Sequence, residues 1–178
     1  MIALFLANGF EEIEALATVD ILRRAGLDVV TYGVDAIAPV GAHNIIVQAD
    51  MPQEELAVDA IQAVILPGGM PGTLHLENSP IVQNAVRYAM DRRLPIGAIC
   101  AAPSILGHAG YLQGINATCY PGFEKDLIGA NLCDGVVTDG NITTACGAGV
   151  AVDFALELVS ILVSSEKAEE IRRGIQCR

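Results

Sequence analysis

A doubly wound α/β sandwich, with a mostly parallel sheet and helices on both faces, is the fold class this sequence predicts. Three observations carry it. Short apolar runs, IALFLA at 2–7, AVILP at 63–67 and PIGAI at 95–99, lack the alternation of a half-exposed strand and suit strands covered on both faces. Segments with helical signals stand between these runs, the order that builds parallel crossovers. The 178 residues are 52% hydrophobic and 17% charged, which is one domain (1–178) able to bury a core without disulfides or metals.

After strand 2–7, residues 11–25 read as a helix, with acids at its start, Arg23 and Arg24 in its last turn and Gly26 as its stop. The β-branched run 27–34 is a strand. Residues 45–49 are a further short strand, able to pair as a hairpin with 37–40. Residues 53–60 read as a short helix, followed by strand 63–67. The loop 67–72, PGGMPG, suits neither helix nor strand. A helix spans 79–92, then comes buried strand 95–99 and a helix from Pro103 to Ala109, stopped at Gly110. Past the segment ATCYP at 117–121, Asp139-Gly140-Asn141 between GVVT and ITTA is a hairpin signal. Helices near 147–163 and 166–174 close the chain. No linker, repeat or low-complexity stretch divides it.

Composition narrows the functional classes. Ten Lys and Arg against 21 Asp and Glu leave a formal net charge of −11, with 4% aromatics and no basic stripe. Nucleic acid is therefore a poor partner, and an anionic membrane surface would repel the chain. MIALFLA is too short to span a bilayer and has no leading positive charge, and Asp153 and Glu157 interrupt the apolar stretch at 147–163. The expected compartment is the cytoplasm. There the five cysteines, at 100, 119, 133, 146 and 177, are thiols first. Their spacings suggest no metal site.

In a doubly wound sheet, ligands bind beyond the carboxyl ends of the strands. Three such ends carry chemistry. Ile99-Cys100-Ala101-Ala102-Pro103 has the strand–turn–helix pattern of a nucleophile elbow, with small neighbours that permit a tight bend. A sulfur there points into the cleft above a helix start, which predicts a lowered pKa. The bland alternative is a small buried hydrophobe. Gly68 and Gly69, after strand 63–67, can present backbone amides to an oxyanion or a phosphate, or can simply make a turn. Glu11, Glu12 and Glu14 follow the first strand. Any of them suits a helix first turn, and Glu14, one turn in, can face the cleft and hold a proton beside a thiolate. Spacing alone does not choose among them. The three histidines, His43, His75 and His108, read as surface or cleft-rim groups. His108 lies over two turns beyond the elbow and points away from it, whereas His75 follows the glycine loop and can be nearby.

Together these residues resemble the ThiJ/PfpI superfamily, most closely its branch of the human parkinsonism-associated deglycase and bacterial ThiJ-like proteins. The resemblance rests on GFEEIEALATVDILRRAG (9–26), VILPGG (64–69), AICAAP (98–103), ATCYPGFE (117–124) and TACGAG (144–149). It implies a flavodoxin-like sandwich, a homodimer, and action on glyoxals or early glycation adducts without a cofactor. Carried over residue by residue, Cys100 matches the oxidation-prone nucleophile and Glu14 the carboxylate bonded to it. Gly68, Gly69 and Ala101 match the oxyanion amides. Tyr120, Cys119, Cys146 and His43 fall at positions that line the family's cleft. The chain departs where the human relative has His in place of Tyr120 and Arg in place of Cys146 and His43, which thins a basic rim. Peptidase relatives carry His directly after the cysteine. Ala101 stands there instead, which disfavours a Cys-His-acid peptidase.

Two functions follow from the resemblance. One is a glyoxalase or deglycase using thiolate Cys100, small aldehydes or glycated substrates, and no metal. The other is a redox-sensing, stress-protective protein or chaperone in which Cys100 is oxidised, with Cys119 or Cys146 as a resolving thiol or merely a buried small residue.

Overall fold

In a computed structural model describing residues 1–177, nine strands and six α-helices alternate much as the sequence predicts. The strands are β1 (Ile2–Leu6), β2 (Val29–Gly33), β3 (Met51–Pro52), β4 (Ala63–Leu66), β5 (Ile96–Ile99), β6 (Asn116–Ala117), β7 (Asn131–Leu132), β8 (Val136–Asp139) and β9 (Ile142–Ala145). The helices are α1 (Glu12–Arg24), α2 (Gly72–Asn78), α3 (Pro80–Asp91), α4 (Pro103–His108), α5 (Ala151–Leu162) and α6 (Ser165–Gly174). The main sheet has the order β3-β2-β1-β4-β5-β9-β8, parallel except for the β8–β9 hairpin. A small parallel pair, β6–β7, stands apart. This is the doubly wound, three-layer α/β architecture that the strand and helix pattern predicts, and the flavodoxin-like sandwich that the resemblance implies.

The central strands carry two cores because each is apolar on both faces. From β1, Ala3 and Phe5 join one cluster, with Val82, Val86 and Leu106 from α3 and α4. Ile2, Leu4 and Leu6 join the other, with Leu22, Phe154 and Leu158 from α1 and α5. Period-two alternation thus fills both layers from a single strand. Helix starts follow capping chemistry. Glu11 accepts from the Glu14 amide, Ser79 from Val82 and Ser164 from Lys167. Among the described residues no helix is long and apolar enough to cross a membrane.

Two local expectations need correction. Residues 45–49 do not form a regular strand. They fold back on 37–41, with Ala49, Val47 and Gly41 amides bonding Ile37, Pro39 and Ile45 carbonyls, but only Val40 and Ile46 form a bridge. Pro39 has no N–H to return the Val47 bond, so the ladder stays half-made. The expected helix at 53–60 is two 3₁₀ turns, Gln53–Glu55 and Val58–Ala60. Between them Leu56 is extended and packs against the core. Of ATCYP, only Ala117 lies in a strand. Helix α2, directly after the glycine loop, was not foreseen.

Candidate active site

The C-terminal ends of β1, β4, β5 and β9 converge, and the cleft lies over them. At the end of β5 the chain turns sharply. Cys100 has φ +65°, a left-handed conformation that is costly for a residue with a Cβ. Two backbone bonds hold it there: the Cys100 amide donates to Ala145 (2.8 Å), and its carbonyl accepts from Tyr120 (2.8 Å). The bend turns the thiol into the cleft, where the Gly69 and Ala101 amides donate to it.

Glu14 projects from the first turn of α1 and is 1% exposed. Its Oε2 accepts from the Gly68 amide at 2.9 Å. Its Oε1 is buried with no short hydrogen bond from the protein, and the Cys100 thiol is its neighbour. Gly68 has to be glycine, because a Cβ there would come within 2.6 Å of the Cys100 Cβ and 2.8 Å of Glu14 Oε2. Gly69 sits at φ +93°, with a would-be Cβ 2.4 Å from the Glu11 amide nitrogen and Gly9 oxygen. The glycine pair therefore lets β4 approach both the elbow and the start of α1. The amide of Gly68 is taken by Glu14, so it positions the acid. Of the three amides expected to face an oxyanion, Gly69 and Ala101 remain.

The electrostatics differ from the expectation of a lowered thiol pKa. Burial, then the adjacent Glu14 charge, push Cys100 up to about 12, against the two amides that lower it. Burial raises Glu14 to about 7, opposed by its bonds to Cys100 and Gly68. Helix α4 after the elbow is only six residues long, so its dipole is too small to outweigh desolvation. The two groups cannot both be anionic. Above pH 7 they share one negative charge and one proton, and the thiolate–carboxylic acid arrangement is one form of that singly charged pair.

Other candidates sort clearly. His43 and Tyr120 line the Cys100 cleft, a cavity of about 360 Å³. Cys119 and Cys146 instead line a neighbouring pocket, which they share with Cys133. Burial raises Cys119 to about 11. Glu12 is buried and holds the 41–45 turn, taking the His43 amide at 2.7 Å and its Nδ1 at 2.9 Å. Glu11, Glu12 and His43 thereby fall within metal-chelating distance of one another, and hydrogen bonds among them account for the arrangement. His75 pairs with Asp35 at 2.9 Å and His108 with Glu77 at 2.6 Å, so neither lines the cleft. Met70, Phe123 and Ala148 also line it. Spacing gave no signal for them, because each is an ordinary apolar residue brought in by a loop.

The sequence pattern of the DJ-1/PfpI family matches residues 1–161. The Drosophila melanogaster protein dj-1beta is 34% identical over 96% of this chain and 93% of its own length. A deglycase from Pyrococcus abyssi is 31% identical over 88% of this chain and 95% of its own. Among solved structures, oxidised Toxoplasma gondii DJ-1 superposes with a TM-score of 0.94 at 31% identity, covering 98% of this chain and 97% of that one.

Proposed function

The chain belongs to the DJ-1/PfpI family, and from that premise we propose that it is a cysteine enzyme acting on reactive carbonyls: a glyoxalase converting methylglyoxal to lactate. The observation that carries this reading is the buried Glu14 carboxyl set beside the Cys100 thiol, which faces the Gly69 and Ala101 amides. In the reactive form, Cys100 is the thiolate and Glu14 the acid. The sulfur attacks the aldehyde carbon, a C–S bond forms, and the carbonyl electron pair becomes an oxyanion held by the Gly69 and Ala101 amides. Glu14 protonates that oxygen, giving a hemithioacetal. As a carboxylate it then takes the C1 proton and returns it to C2, while the C1 hydroxyl proton passes to the C2 oxygen, so that C1 becomes a thioester carbonyl and C2 a carbinol. Water hydrolyses the thioester, releasing lactate and restoring the thiol. Methylglyoxal plus water thus gives lactate with no net oxidation. On an early glycation adduct, an aminocarbinol, the sulfur would displace the amine at the carbinol carbon, the C–N bond breaking as the C–S bond forms and Glu14 giving the leaving nitrogen its proton, in keeping with the name of the Pyrococcus relative.

The test is lactate production from methylglyoxal by the purified chain. Cys100→Ala is expected to abolish it, and Glu14→Gln to reduce it by about 10²–10⁴-fold. Undiminished turnover by Cys100→Ala would refute the reading. A redox-sensing role is the second reading, favoured by the oxidised state named for the Toxoplasma relative. Mild peroxide would then add two oxygens to Cys100, a gain readable by intact mass. We further propose that the protein works as a homodimer in the cytoplasm, on small aldehydes or glycated substrates. Exposed Ile13 and Leu16 on α1 and Ile45 and Ile46 in the 37–49 arm support an apolar interface.

A further inference from the structure

The lining of the Cys100 cleft carries a statement about substrate class that deepens the carbonyl-enzyme reading and rests on it. The mouth is apolar. Tyr120 is 50% exposed and Met70 45%, and Phe123 lies beside them on the same cavity. Tyr120 lies beside Gly147, where an added Cβ would stand 3.3 Å from the ring, and half of the residue stays exposed. The charged residues of the lining are Glu11, Glu14 and His43. Among the described residues, lysine and arginine are absent from it, and Lys125, two residues beyond Phe123, is not part of it. His43 is the only cationic candidate among the described residues, and its Nδ1 sits 2.9 Å from Glu12 and 3.8 Å from Glu11. Two carboxylates therefore already answer any charge it carries. Adding the single negative charge of the Cys100–Glu14 pair, the cleft presents a net negative field to whatever enters, on a chain of net charge −11.

We propose that this cleft selects α-oxoaldehydes bearing an uncharged, apolar substituent, aryl groups above all, and rejects those bearing a carboxylate. The aldehyde carbon goes to Cys100 and the carbonyl oxygen to the Gly69 and Ala101 amides. The substituent then lies outward against Met70, Tyr120 and Phe123, where an aromatic ring finds a stacking face and a thioether. A cavity of about 360 Å³ admits a single ring. A carboxylate in the same position would lose water without gaining a cationic partner.

Three substrates of nearly equal shape separate the terms: phenylglyoxal, 4-methylphenylglyoxal and 4-carboxyphenylglyoxal, each followed as its mandelate product alongside methylglyoxal. The expected result is a kcat/KM for the 4-methyl compound about tenfold or more above the 4-carboxy compound, expressed in KM, with the gap narrowing in about 1 M salt. Phenylglyoxal is expected to have a lower KM than methylglyoxal, and Tyr120→Ala to shrink the phenylglyoxal-to-methylglyoxal ratio of kcat/KM by about fivefold. Met70→Arg places a cation at the mouth and is expected to raise turnover of the 4-carboxy compound relative to the 4-methyl one. Methylglyoxal turnover with the methyl and carboxy compounds within about twofold of each other, or with a gap that salt does not change, overturns the selectivity and leaves the enzyme reading standing. No turnover of any of the four overturns both.

Discussion

At the scale of single residues, the proposed chemistry depends on one proton shared by two side chains that burial makes reluctant to ionise. Glu14 is raised to about 7, so below that pH the pair is neutral and the sulfur has no anionic form to offer. Turnover is therefore expected to rise with pH through about 7 and then hold level, because the second proton leaves only near the Cys100 value of about 12. A kcat/KM profile already flat from pH 5 would contradict this assignment. The same shift has a stability cost. A carboxyl raised from 4.5 to about 7 contributes its full stability below pH 4.5 and loses it as the pH climbs through 7. Glu14→Gln keeps an acceptor for the Gly68 amide and removes the charge. Relative to wild type it should gain on the order of 3 kcal/mol in unfolding free energy between pH 4.5 and pH 8. Urea titrations at the two pH values measure it, and a difference independent of pH would show that Glu14 does not titrate in this range.

At the scale of elements, close approach sets the geometry. Strand β5 carries the elbow, and its Gly97 lets α5 lie directly on the sheet. A Cβ at Gly97 would fall 2.8 Å from Phe154 Cζ, 3.0 Å from Ile65 Cδ1 and 3.2 Å from Leu158 Cδ1. Gly97→Ala is expected to cost about 1–3 kcal/mol in chemical denaturation. Phe154→Leu should recover part of that loss in the double variant, since it removes the ring edge that the new methyl meets. Strict additivity of the two would place the strain elsewhere. The elbow also explains how a left-handed cysteine survives. Ala145 and Tyr120 satisfy both of its backbone groups, so β9 and the segment after β6 hold the bend against its intrinsic preference.

At the scale of the whole molecule, the proposed homodimer would draw on the exposed apolar residues of α1 and the 37–49 arm, on a chain of net charge −11. Ile13 is 57% exposed and Ile46 68%, and both lie near the helix and turn that supply Glu14 and His43 to the cleft. If these residues form the homodimer interface, Leu16→Asp should convert the protein from twice the 18.6 kDa chain mass to the monomer mass in sedimentation. A wild-type protein sedimenting at the single-chain mass would dismiss the interface.

Much of the fold and the chemical positions of the site were legible in the amino-acid order. Apolar strands, capped helices, the Asp139–Asn141 turn and the elbow around Cys100 are local patterns, and local patterns survive folding when tertiary packing agrees with them. The hairpin arm at 37–49 and the split 3₁₀ turns at 53–60 were less legible, because a missing proline N–H and the burial of Leu56 outweighed propensity there. Spacing left three neighbouring glutamates open and the family resemblance pointed to Glu14; only the tertiary structure assigned the Gly68 amide to that acid, moved Cys119 and Cys146 to the next pocket, and raised the cysteine pKa where a helix start suggested lowering it. Each of these turns on distance and desolvation between segments far apart along the chain, and no spacing in one dimension encodes either quantity.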